Sequence, residues 1–422
     1  MCKYLYIIGQ GVCRKMRYLY KIYHEIPVTD FHEIHQKRFK FDTTIRLGLS
    51  IKPMKQPHSY ELYYVPTNKM LEMVSKIHLI SNSFLQTFQI LPTVAQKQFI
   101  NECLVEELYN TNQLEGIRST REEIARSAKE VKLNKKTKTR FASMIKSYLR
   151  LLNNDIELPE SAKDIRAIYD EITNGEIEQQ ELPDGEVFRK EITYILKKSG
   201  TGKVIHQGIT PEKEIIHKTE QLLRFMNDND EIPALIRVAI GHYYFGYIHP
   251  FYDGNGRTSR FISSIYLSKV LGNIASLSLS RGSNKYKNKY LDIFEITNSI
   301  KSRGEMNCFI ETFLRIIIDT LVQMNAELKE KSELLSIAAQ KIDVEPKLAN
   351  KEELHKDIML ILAQNHFFDS SMGLTIKELA AIVSKSEATI RKIVRDLIAM
   401  SLIEQKGERP AYYCMKQEYF EI

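Results

Sequence analysis

From about Thr67 onward, apolar residues recur three and four apart over most of this chain, the period of a helix with one buried face. Leu71, Val74, Ile77 and Ile80 mark one such run; Ile100, Leu104 and Leu108 mark a second. The second leads into Thr111-Asn-Gln-Leu-Glu115-Gly116, where Gly116 predicts a helix C-cap, because glycine takes up the left-handed closing conformation at little cost. Further helices are predicted over 141–152, 162–172 and 213–226. A long one over 233–247, with Pro233 in its first turn, delivers the chain to His249, and Pro250 keeps the next stretch extended. Residues 261–271 are again apolar at helical spacing, and 286–300 and 306–328 predict two more helices.

One segment reads differently. Residues 191–196 and 203–206 flank Lys-Lys-Ser-Gly-Thr-Gly, which predicts a β-hairpin with a glycine-rich turn. Residues 1–60 have no clean period and predict no element; they form an N-terminal extension. A helical region over 61–135 and a core over 136–328 follow, then a charged, poorly periodic linker over 329–353. The last unit, 354–422, predicts helices over 355–363, 376–383 and 387–400, a turn at 384–386 and a two-stranded wing from 401 to 415. That order resembles the winged-helix variant of helix-turn-helix modules. Lys385, Arg391, Lys392 and Arg395 would then form the basic face of a recognition helix, although lysine and arginine are also the ordinary solvated face of any helix. Such modules dock proteins as well as DNA. The fold class is mainly α.

With 422 residues, 43% of them apolar, the chain has room for two or three domains with their own cores. No apolar stretch approaches the ~18–20 residues that span a bilayer, so no membrane partner is expected. The apolar start lacks a small-residue cleavage site, so no leader is expected, and Met16 offers a second start. Cys2, Cys13, Cys103, Cys308 and Cys414 lie far apart without metal-ligand spacing, as in proteins of a reducing cytoplasm. A net charge of +7 permits nucleotide or nucleic-acid binding and requires neither.

The candidate chemistry sits in His249-Pro-Phe-Tyr-Asp-Gly-Asn-Gly-Arg-Thr-Ser-Arg260. An imidazole that accepts a proton near pH 7, a carboxylate and two arginines fall within one turn. The glycines let backbone N–H groups approach an anion, and they stand at a helix N-terminus, whose unpaired donors and partial positive charge favour phosphate. Arg257 and Arg260, three apart, share one helix face and can reach the same polyphosphate. Other loops fail on spacing. A calcium loop counted from Asp253 meets Arg257 and Thr258 where it needs an oxygen ligand and a glycine. The nearest match to a P-loop, Gly202-Lys203, is followed by Val204 and has Lys197 in place of the first glycine.

The run resembles the signature of the Fic family of AMP transferases, His-x-Phe-x-Asp/Glu-Gly-Asn-Gly-Arg-x-x-Arg. Each fixed position is filled, by His249, Phe251, Asp253, Gly254, Asn255, Gly256, Arg257 and Arg260. The resemblance spans about 65–325 and implies a Fic-type helical core with a β-hairpin flap. It also implies transfer of AMP from ATP to a hydroxyl side chain of a target protein, releasing pyrophosphate. In that scheme His249 is the base, Phe251 pins the loop, and Asp253 holds Mg²⁺ on the phosphates. The backbone of Gly254, Asn255 and Gly256 cradles the α- and β-phosphates, and Arg257 and Arg260 hold the β- and γ-phosphates. Tyr290 and Asn298 match adenine contacts, with Leu291 where the family often has a second tyrosine. The hairpin, through Ile192, Thr193, Tyr194 and Ile195, would dock the target by main-chain pairing, although its turn is longer than the family's. Thr111-x-x-x-Glu115-Gly116 resembles an inhibitory motif whose glutamate pairs with Arg260 in the place of the γ-phosphate. Implied partners are ATP, an unidentified target protein and the chain itself through self-modification; DNA or protein at the C-terminal unit and a homodimer stay open. So do three other activities: removal of AMP, transfer of another nucleotide, and a nucleotide-sensing DNA-binding regulator.

Overall fold

The computed structural model describes residues 16–133, 140–196, 202, 204–228, 231–368 and 373–420. Cys2 and Cys13 lie outside them, and so do residues 197–201 of the expected hairpin turn and residue 203 at the start of its second strand.

Residues 16–64 are more ordered than their lack of helical period suggests. Helices α1 (Leu19–Ile22) and α2 (Val28–Phe39) precede an antiparallel pair, β1 (Ile45–Ile51) and β2 (Tyr60–Tyr64). Leu47, Leu49 and Ile51 are buried with less buried residues between them, the period of two that a half-buried strand requires. Polar anchors fasten this segment to the rest. Buried Glu305 accepts from the Leu19 N–H at 3.1 Å and pairs with Arg38. The Tyr63 N–H donates to the Gly304 carbonyl at 3.0 Å, and the Tyr63 carbonyl accepts from the Met306 N–H at 2.8 Å.

Helix α3 (Asn68–Gln89) starts where the Thr67 side chain accepts the Met70 N–H. Helix α4 (Thr93–Glu115) ends in a Schellman closure: Gly116, at φ 82°, donates to the Gln113 carbonyl at 3.3 Å, and Ile117 donates to Asn112 at 2.9 Å. Then come α5 (Arg121–Lys132), α6 (Ala142–Leu152) and α7 (Ala162–Thr173), the last opened by a capping box of Ser161 and Asp164. The hairpin is present as β3 (Tyr194–Leu196) and β4 (Val204–Gln207), antiparallel with Ile195 opposite His206. Ile192 and Thr193 fall just before the strand that was expected to include them.

The middle of the molecule is built on α8 (Glu212–Asp228), α9 (Ala234–Ile248) and α10 (Asn255–Leu271). Helices α9 and α10 are buried on almost every side and pack against each other, which is why neither shows a clean polar face. Helices α11 (Leu279–Lys285) and α12 (Lys287–Thr297) follow, the second within the expected 286–300.

Helix α13 (Asn307–Asp343) is longer than its sequence suggests. A linker is expected over 329–353, yet the chain is helical through Asp343. Leu328, Leu335, Ala338 and Ile342, seven, three and four apart, continue a buried stripe beneath abundant surface charge. The C-terminal residues form α14 (Glu353–Phe368), α15 (Ile376–Val383), α16 (Glu387–Ala399) and the antiparallel strands β5 (Ile403–Lys406) and β6 (Tyr412–Met415). These elements rest on α4 and α5. The Ala95 N–H donates to Gln364 Oε1 at 3.0 Å, the rings of Phe99 and Phe368 meet edge to face, and Lys129 pairs with Glu378 at 2.8 Å. Among the described residues no helix is long and apolar enough to cross a membrane.

Candidate functional site

Helices α9 and α10 are joined by the motif loop, and the loop's shape follows from its residues. His249 closes α9 in the left-handed region, φ 52° and ψ 62°, its N–H still donating to Phe245 at 3.0 Å. Phe251 is buried, stacked on Tyr169 at 3.7 Å between ring centroids and edge-on to Phe188. The Asn255 side chain clasps the same residue: its Oδ1 accepts the Phe251 N–H at 3.0 Å, and its Nδ2 donates to the Phe251 carbonyl at 2.7 Å. Asn255 therefore shapes the loop with its side chain and leaves only its backbone to a ligand. Gly254 begins α10 at φ 80°. By helix geometry the first-turn N–H groups of Asn255, Gly256 and Arg257 have no acceptor inside the helix.

This end of α10 opens into a cleft of about 560 Å³. His249, Asn255, Gly256 and Arg260 line it, with Glu115 opposite, and so do Tyr290, Asn298 and Ile195. Sequence-distant candidates are thus gathered at one surface. Asp253 does not line the cleft, and its side chain is half exposed; one oxygen accepts the Gly254 N–H at 2.6 Å and the other lies 3.5 Å from Arg257. Arg257 is buried, and its Nε and Nη1 lack partners among the described residues. Arg257 does not line the cleft. Tyr194 and Leu196 of β3 are exposed. Ile192 and Thr193 do not line the cleft. Far from this site, Arg391, Lys392 and Arg395 lie on the exposed face of α16, where Arg391 pairs with Glu387.

Arg260 is buried and bound on the α4 side. Its Nη2 lies 2.6 Å from Glu115 Oε1, its Nε donates to Thr111 Oγ1 at 2.9 Å, and Nη2 also reaches the Thr111 carbonyl at 3.3 Å. Burial alone would lower the guanidinium's proton affinity, but Glu115 and Tyr290 more than offset it. A Cβ placed on Gly256 would run into the Glu115 carboxylate, so that carboxylate sits this close to the first turn of α10 only because residue 256 has no side chain.

Several residues packed around the cleft carry no sequence signal. His242, on α9, sits buried under the cleft, its Nε2 2.8 Å from Tyr290 Oη and its Nδ1 2.9 Å from Ser263 Oγ. Ser263 in turn donates to the Ser259 carbonyl, so the consistent assignment has His242 donating through Nδ1 and accepting the Tyr290 hydroxyl at Nε2. Tyr290 thereby presents its ring to the cleft with its hydroxyl already engaged. Asn298 is likewise engaged, its Oδ1 accepting the Tyr243 hydroxyl at 2.6 Å. Arg189 and His206, beside the motif loop, were also invisible as members of the site. Burial pushes the His249 imidazole down to about 3; His206 and Arg189 act in the same direction, and Glu115 opposes them. His249 is therefore a neutral imidazole at pH 7, able to accept a proton.

Residues 159–267 match the Fic/DOC family model. Among solved structures, the chain is similar to a Fic family protein from Desulfovibrio desulfuricans G20, at 17% identity over 84% of this chain and 98% of that one, with a TM-score of 0.49. It is also similar to a Fic domain containing signaling protein from Bacteroides thetaiotaomicron VPI-5482, at 19% identity over 62% of this chain and 97% of that one, with a TM-score of 0.41.

Proposed function

We propose that this chain, which carries a Fic/DOC domain over residues 159–267, is a protein adenylyltransferase held in check by Glu115. One observation carries the proposal: a neutral, partly exposed His249, the glycine-opened first turn of α10 and Arg260 all face a single cleft, and Glu115 is clamped on that arginine.

The chemistry follows from those groups. A target hydroxyl oxygen attacks the α-phosphorus of ATP while its proton passes to the His249 imidazole, and the bond to pyrophosphate breaks. Negative charge that builds on the phosphate oxygens is met by the first-turn N–H groups of α10, dipoles already fixed in place. Arg260, and Arg257 with its unpartnered nitrogens, would hold the outer phosphates. Asp253 offers a half-exposed carboxylate at the rim of this turn, the hard oxygen donor that Mg²⁺ prefers. Among the described residues no cluster of three or more acidic, histidine or cysteine side chains forms a metal cage, so the ion's other ligands would come from phosphate and water. Bound there, Mg²⁺ would neutralise phosphate charge.

Glu115 supports autoinhibition because a guanidinium already paired with a carboxylate is not free to take a γ-phosphate. The exposed edge of Tyr194 and Leu196 beside the cleft suits main-chain pairing with an extended target segment. The test is incubation with Mg²⁺ and ATP radiolabelled at the α-phosphate, comparing the wild type, Glu115→Gly and Glu115→Gly/His249→Ala. Label that appears with Glu115→Gly and vanishes with the double variant is expected. No label in any variant, with ATP binding intact, would overturn the transferase and leave a nucleotide-sensing role.

A further inference from the structure

We propose that Arg189 is a positioning residue that ties the catalytic histidine's backbone to both feet of the β3–β4 hairpin, an inference that rests on the transferase assignment of His249. The Arg189 side chain is fully buried between α7, the hairpin and the motif loop. Its guanidinium donates to three backbone carbonyls: Nε to His249 at 3.0 Å, Nη1 to Glu191 at 2.6 Å and Nη2 to Ile209 at 2.8 Å. Glu191 lies just before β3 and Ile209 just after β4, so one side chain joins the hairpin's entry, its exit and His249.

Neighbouring bonds lace the same parts together. The Arg189 N–H donates to the Pro250 carbonyl at 3.3 Å, Ile209 donates to Ile248 at 3.0 Å, and His206 Nε2 lies 2.7 Å from the Tyr247 carbonyl. Arg189 is distinct among them because it is a charge that pairs with no carboxylate among the described residues. A buried guanidinium satisfied only by carbonyls is costly to desolvate, and burial lowers its proton affinity to about 10, still cationic at pH 7. The chain also makes room for it. A Cβ on Gly208 would collide with Arg189 Nη2, and Gly208 has ordinary negative-φ backbone, so its lack of a side chain serves the guanidinium and not a turn.

The geometric consequence falls on His249. Its left-handed backbone is disfavoured for a residue with a Cβ and persists only where surroundings fix it. The hydrogen bond from Arg189 Nε fixes the carbonyl end of that residue and hence the direction of the imidazole. Because the same guanidinium grips the hairpin, the surface that meets a target and the base that receives its proton are set by one group.

Arg189→Lys, Arg189→Gln and Gly208→Ala would each be placed in the Glu115→Gly background. A lysine reaches fewer of the three carbonyls, and Gly208→Ala displaces the guanidinium while leaving residue 189 intact. Turnover is expected to fall about 100-fold in Arg189→Gln, less in Arg189→Lys, with the dissociation constant for ATP within about threefold of the background. Hydrogen exchange should rise in peptides covering 191–194, 206–209 and 247–250 and stay unchanged in α10. Turnover within threefold of the background, or ATP affinity lost in step with turnover, would overturn the proposal. If the background itself gives no label, the transferase assignment fails separately, and unchanged exchange at 191–194 and 247–250 would still overturn the link through Arg189.

Discussion

Glu115 Oε1 lies 2.6 Å from Arg260 Nη2 although the two residues are 145 positions apart in the chain. The contact joins the last residue of α4 to the second turn of α10, and the Glu115 side chain is about a quarter exposed while the arginine is buried. A hydrogen bond to a charged group contributes about 1.5–3 kcal/mol. Glu115→Gln keeps the shape and removes the charge, so labelling from α-labelled ATP should rise by roughly 10-fold, about 1.4 kcal/mol, and by less than with Glu115→Gly. An unchanged rate with ATP still bound would show that carboxylate charge is not what withholds Arg260.

Gly256 and Glu115 form a second, steric pair. A methyl group at 256 meets the Glu115 carboxylate and lies 3.0 Å from Arg260 Nη1. Gly256→Ala should therefore destabilise the chain by about 1–3 kcal/mol, the usual effect of overpacking. Adding Glu115→Gly removes the obstacle and should restore most of that stability in a denaturant titration. It should not restore labelling, because the added methyl still occupies the surface where phosphate must approach the first-turn N–H groups. Two additive stability losses would show that the clash relaxes some other way.

Gly116 separates backbone strain from contact. It adopts φ 82° at the end of α4, and a Cβ there meets nothing within 4 Å. Gly116→Ala should thus lower stability by about 1 kcal/mol through conformation alone. Since Gly116 closes the helix immediately after Glu115, the loosened last turn should also raise basal labelling above wild type. A loss of stability without any rise in labelling would mean that Glu115 is held by Arg260 and owes nothing to its cap.

The motif loop was legible because its pattern is local: glycines at a helix start, a histidine just before, and arginines three apart. His249, Asn255, Gly256 and Arg260 line one cleft with Glu115, Tyr290 and Asn298, whereas Asp253, Gly254 and Arg257 do not line it. Arg189, His206 and His242 escaped notice because each acts through contacts with backbone or with a residue far along the chain, and no spacing announces such contacts. Strand β1 was a different failure. Its alternation of Ile45, Leu47, Leu49 and Ile51 is visible in the sequence but short, and it stands among aromatic residues that blur the period. In α13 the buried stripe beyond Leu328 is only one residue wide per turn, so surface charge conceals it.

Buried histidines give the fold a pH dependence with a definite sign. Burial pushes His35 and His206 down to about 4, and His242 and His249 down to about 3. In the unfolded chain each returns to near 6.5. Between those values the unfolded chain binds protons that the folded one refuses, so their contribution is complete above about pH 6.5 and is lost as pH falls. At pH 5.5 each histidine costs on the order of 1 kcal/mol. Glu107 acts oppositely: burial raises it to about 7 against the hydrogen bonds from Ser280 and Tyr148, and buried Glu305 is raised as well. These carboxyls take up protons in the folded state and offset part of the loss, leaving a net fall on the order of 2–3 kcal/mol. Thermal unfolding at pH 7.5 and pH 5.5 should show the midpoint dropping by roughly 2–4 °C. A rising midpoint would mean that the buried carboxyls outweigh the histidines and that the sign of the pH dependence is the reverse.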